Sequence, residues 1–151
     1  MVKSAILKSG CLLRSPQVIV GKGEKGGILV VNEFEKLFPE VFSTGERIKR
    51  DYYIYNNTLE LSVRGGHYHP LGKFELMTCK LGSVEVCLRY RDKTGNLLEE
   101  RLFLSGAFPS VLLIVPLVWH SVSIGSNMVL NVLTNCEYEV GESIVGNPPV
   151  R

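Results

Sequence analysis

The three histidines of the chain fall in two short segments, His67-Tyr68-His69 and Trp119-His120. Side chains along a β-strand alternate between its two faces, so His67 and His69 project together. On the inner face of a barrel they would meet in one pocket, and His120 would join them from another strand. Imidazole titrates near neutral pH and carries a lone pair, so such a pocket suits either proton transfer or a metal ion. Arg64 stands just before the pair, across Gly65-Gly66. A guanidinium there can hold a planar oxyanion in bidentate fashion.

Positioning these groups takes many short strands, and the chain offers them. Candidates cover 27–32, 48–55, 59–63, 66–69, 74–80, 83–90, 99–104, 111–115, 119–124 and 128–134. These runs are rich in Val, Ile, Leu, Tyr and Phe, and Gly, Pro, Asn and Asp punctuate them. The stretch from Arg91 to Asn96 reads as a hairpin turn, with Gly95 available for a positive backbone angle. A short helix is expected over 33–38, before Pro39. There is no long amphipathic helix, internal repeat or low-complexity segment, and regular short strands point to a sandwich or barrel. The ending, Gly146-Asn147-Pro148-Pro149, reads as a loose tail.

A length of 151 residues predicts one domain spanning 1–151. The net charge of +2 is small and evenly spread, and the densest basic stretch, Arg47 to Arg50, is broken by Ile48 and followed by Asp51. That balance argues against a nucleic-acid partner. The longest apolar run, 111–118, includes Pro116 and is too short to cross a bilayer. The first residues carry no signal-peptide pattern, so a soluble, cytoplasmic protein is expected. Cysteines at 11, 79, 87 and 136 lack CxxC spacing and are read as reduced thiols.

Gly66-His67-Tyr68-His69, then Glu75, then Gly82 resembles the first signature of the cupin superfamily. Pro116-Leu117-Val118-Trp119-His120 resembles the second. A closer resemblance covers most of the chain. Lys49-Arg50-Asp51-Tyr52-Tyr53-Ile54-Tyr55, Arg64-Gly65-Gly66-His67-Tyr68-His69, Leu81-Gly82-Ser83-Val84-Glu85-Val86 and Val118-Trp119-His120 look like the sugar 3,4-ketoisomerase family. The sequence departs from that family at Tyr68, at Pro70, at Lys25-Gly26-Gly27 in place of an early Arg-Gly, and in its reduced close, Glu137-Tyr138-Glu139.

The resemblance implies an all-β, cupin-type double-stranded β-helix, or jelly-roll, barrel. It also implies a thymidine-diphosphate sugar as ligand, no metal requirement, and a homodimer, in which N-terminal strands would be exchanged. Moving a keto group between C4 and C3 needs a base for the proton alpha to the carbonyl and an acid for the neighbouring carbon. His69 is assigned as base, His67 as its partner or second acid/base, and Tyr53 as donor to the sugar oxygen. Alternation puts Arg50 with Tyr52 on one face and Tyr53 with Tyr55 on the other, without saying which is inside. Arg64 and Arg50 would counter the enolate or the diphosphate, Trp119 would line the sugar pocket, and His120 and Glu75 would contribute. Epimerisation at C3 or C5 would use the same alpha-proton abstraction, and two rival readings stand beside this one. A metal cupin would use His67, His69, His120 and Glu75 as ligands to a divalent transition metal, and a non-catalytic barrel would only bind sugar.

Overall fold

The computed structural model describes residues 4–21, 27–138 and 143–150. Lys25 and Gly26 of the early glycine motif and Glu139 of the acidic close lie outside the described residues. The strands are β1 (Ser4–Ile6), β2 (Leu12–Arg14), β3 (Gln17–Val20), β4 (Ile28–Val31), β5 (Arg50–Tyr55), β6 (Ser62–Tyr68), β7 (Glu75–Leu81), β8 (Ser83–Arg91), β9 (Leu97–Ser105), β10 (Val111–Ile114), β11 (Trp119–Ile124), β12 (Val129–Thr134) and β13 (Ile144–Val145). Two helical turns, α1 (Phe34–Leu37) and α2 (Pro39–Phe42), stand where one short helix was expected. Pro39 has no N–H to continue α1, yet its fixed φ suits the first position of α2.

Two antiparallel sheets face one another, in the orders β1-β2-β10-β7-β12-β5 and β13-β6-β11-β8-β9, as the predicted jelly roll requires. Between them lies an apolar core that includes Met77, Leu88, Leu112, Val122, Leu130 and Val132. A second cluster, with Phe38, Leu76, Leu113 and Leu133, fills the space between the helices and the outer face of the six-stranded sheet. Strands β7 and β10 are therefore buried on both faces and read as nearly unbroken apolar runs.

The hairpin joining β8 to β9 forms as expected. The Asp92 carboxylate accepts from the Thr94 and Asn96 N–H groups, each at 2.9 Å, and Gly95 sits at φ 86°. The tail corrects its prediction. β13 pairs with β6 opposite His67 and Tyr68, Pro148 is buried, and its carbonyl accepts from Arg91 Nε at 3.0 Å. The two strands predicted over 59–63 and 66–69 are one strand, β6, which passes through Gly65-Gly66 without ending.

Candidate active site

The glycine pair aims the histidines. Opposite β11, His120 pairs with His67 but Ser121 pairs with Gly65, so Gly66 is an extra residue and the ladder shifts there. Gly65 and Gly66 adopt φ 83° and 80°, a region side chains disfavour, and a Cβ on Gly65 would lie 2.9 Å from the His120 carbonyl oxygen. A bulge of this kind re-aims the following side chains. Beyond it, His67 and His69 point inward. The His69 carbonyl accepts from Leu117 N–H at 2.9 Å, which ties it to the turn leading into β11. Leu117 itself is held at φ 65°.

From β11, His120 faces the same space alongside the core residues Val122 and Ile124. The three imidazoles meet: ring centroids are 4.9 Å apart for His67–His69 and His67–His120, and 5.3 Å for His69–His120. Glu75, first residue of β7, reaches them from the opposite sheet. Its Oε1 lies 3.2 Å from His69 Nε2, its Oε2 lies 3.1 Å from His120 Nε2, and the Tyr52 hydroxyl donates to Oε1 at 2.9 Å. Burial alone would raise the Glu75 pKa, but hydrogen bonds from His120 and His69 outweigh it and hold the carboxyl well below its ordinary value.

The histidines differ in access. His69 and His120 are 4% and 2% exposed, whereas His67 is half-buried and lines an open cleft of about 520 Å³ between β5 and β6. Arg64 and the stretch from Tyr52 to Tyr55 line the same cleft. Arg50 reaches the inner face of β5, with its guanidinium 5.2 Å from the Tyr52 ring and 5.5 Å from the Tyr138 ring.

Tyr53 is on the exposed face of β5, 55% accessible, and lines the cleft with His67, whereas Tyr52 bonds to Glu75. Trp119 points to the outer face of its sheet, away from His120, and stacks under Arg89 with 4.4 Å from guanidinium carbon to ring centroid. It does not line the inner pocket. His69 is 4% exposed with Nε2 3.2 Å from Glu75 Oε1, and His67 is the imidazole that lines the cleft. Tyr52 was within reach of the sequence, since alternation pairs it with Arg50, but the choice of inner face was missing.

The donor atoms of His67, His69 and His120 lie within 4.8 Å of one another, close enough to share an ion. Glu75 lies beside the same set, with Oε1 3.2 Å from His69 Nε2 and Oε2 3.1 Å from His120 Nε2.

The sequence profile described as FdtA: WxcM-like, C-terminal matches residues 17–146. Among solved structures, the chain resembles a double mutant of the QdtA 3,4-ketoisomerase from Thermoanaerobacterium thermosaccharolyticum in complex with TDP. Identity is 26%, coverage is 93% of this chain and 89% of that one, and the TM-score is 0.69. It also resembles WlaRA, a TDP-fucose-3,4-ketoisomerase from Campylobacter jejuni, at 25% identity, with coverage of 90% and 89% and a TM-score of 0.66. The dTDP-4-dehydrorhamnose 3,5-epimerase of Bacillus anthracis shares the fold at 14% identity, with coverage of 100% and 95% and a TM-score of 0.74. No curated protein sequence matches. The motifs on β5, β6 and β11, the jelly roll that carries them and the profile spanning them agree: the chain belongs to the WxcM-like, C-terminal family of FdtA type.

Proposed function

We propose that this isomerase moves a keto group between C4 and C3 of a dTDP-4-keto-6-deoxyhexose. One observation carries the reading: a cleft open to solvent ends on an imidazole, His67, and has a guanidinium, Arg64, in its wall. His67 takes the proton from C3, next to the C4 carbonyl. The electron pair left behind forms the C3–C4 double bond of an enediolate, with the charge on O4. O4 gains a proton and O3 loses its own, and a proton returned to C4 leaves the carbonyl at C3. Arg64 supplies positive charge for the diphosphate or the enediolate oxygen. Proton transfer by a positioned imidazole contributes roughly 10²–10⁴-fold to such a step.

No metal takes part in this mechanism. The test follows dTDP-4-keto-6-deoxyglucose by NMR before and after chelation. Turnover that survives chelation supports the reading. Turnover that disappears and returns with a divalent ion would transfer the chemistry to a metal on the three histidines. Wild-type protein that binds the sugar without converting it would leave a binding barrel.

The reading includes a homodimer in the cytoplasm. Among the described residues β3 and β4 pair only with each other. They leave Val18, Ile19, Val20, Ile28 and Leu29 between 44% and 68% exposed. A two-stranded ribbon is marginal alone in water, and a second copy would cover it. All four cysteines are buried thiols, which fits a reducing compartment. No helix among the described residues is long and apolar enough to cross a membrane.

A further inference from the structure

We infer that Glu75 is the positioning residue of this site, fixing His69 and His120 so that His67 is the imidazole presented to the substrate. The inference rests on the isomerase reading above. Glu75 is 2% exposed and shares the inner face of β7 with core residues Met77 and Cys79. An ionised group in such a place is costly, and well-packed apolar replacements of buried ion pairs are often neutral or stabilising. Packing of the barrel therefore does not call for a carboxylate here; the site does.

Its partners come from three separate segments and both sheets: Tyr52 on β5, His69 just after β6, and His120 on β11. Both carboxylate oxygens are engaged, one by Tyr52 and His69 and the other by His120, which leaves Glu75 turned toward protein groups rather than toward a ligand. An acceptor facing Nε2 selects the ring form with its proton on that nitrogen. His120 Nδ1 lies 3.2 Å from the Val118 carbonyl, so both nitrogens of that ring face acceptors. One carboxylate thus sets the orientation and the proton position of two rings, each packed against His67 at 4.9 Å between centroids.

Glu75→Gln keeps the shape and removes the charge and one acceptor. Assayed with dTDP-4-keto-6-deoxyglucose, the variant should lose about 10–100-fold in kcat, with KM within about threefold of wild type, as expected of a group acting through its neighbours. Long-range ¹H–¹⁵N spectra of histidine-labelled wild-type protein should show Nε2 protonated on both His69 and His120, and the variant should lose that pattern. Wild-type kcat in the variant would overturn the inference, as would a KM increase as large as the kcat loss, or a bare Nε2 on both rings of the wild type. The wild-type spectrum decides the proton positions even where the variant does not fold. Absence of turnover in wild-type protein would instead remove the isomerase reading and leave the spectrum to judge Glu75 alone.

Discussion

Two glutamates in adjoining parts of the barrel are both held ionised, and they do different work. Glu99, on the outer face of β9, lies 2.8 Å from Arg89 Nε and 2.7 Å from Arg101 Nε, and these hydrogen bonds lower its pKa from 4.5 to about 2. Its side chain is still 35% exposed. Water and salt screen such a ladder, so it contributes little to stability. Glu75 has no water to fall back on. Hydrogen bonds from His120 and His69 hold it well below its ordinary pKa there. The same ion-pair chemistry is surface decoration in one place and the organiser of a site in the other, and burial makes the difference.

The largest expected effect separates His67 from everything around it. His67→Asn should lower turnover by about 10³-fold and leave the melting temperature within a few degrees of wild type. Initial rates and a thermal melt on the same sample check this, and a rate within threefold of wild type would break the assignment. Gly65→Ala should come next. Its Cβ would meet the His120 carbonyl oxygen at 2.9 Å in a left-handed backbone conformation, at a cost of about 1–3 kcal/mol in chemical denaturation together with a loss of turnover.

Acidification sharpens the contrast between the two glutamates. The folded-state pKa of Glu75 is depressed below its ordinary 4.5, so its ionised form adds stability that is present above about pH 4.5 and lost as the pH falls through the folded value. Denaturation at pH 7 and pH 4 should show the wild-type protein losing more stability than Glu75→Gln. An equal loss in both would mean that the buried network is not the acid-sensitive element. The smallest effect belongs to the outer face, where Glu99→Gln should cost less than about 1 kcal/mol and leave turnover unchanged.

Much of this was legible in the sequence. Ten runs with strand composition and turn signals between them require a β-barrel or sandwich, and nine of them lie on strands of the two jelly-roll sheets, the tenth on β4. The spacing of His67 and His69 requires a shared face, and the bulge at Gly65-Gly66 turns that face inward. Alternation does not carry the sign of the face. Tyr52 and Tyr53 are equivalent by period, and only the fold shows that Tyr52 looks in. Trp119 failed for the same reason, since His120 beside it takes the inner face. Strands β1, β2 and β3 span three or four residues each and show no alternation to detect. The depth ranking of the histidines depends on β7 arriving from the opposite sheet, a long-range event that no local pattern records.

The most direct test of the account is label exchange. Wild-type protein and His67→Asn are incubated with dTDP-4-keto-6-deoxyglucose in D₂O, and the C3 and C4 positions of the sugar are followed by NMR. The account predicts that wild-type protein removes the C3 proton and builds up a 3-keto product carrying deuterium at C4, and that His67→Asn does neither at a comparable rate. Undiminished exchange in His67→Asn, or no exchange by the wild-type protein, would contradict it.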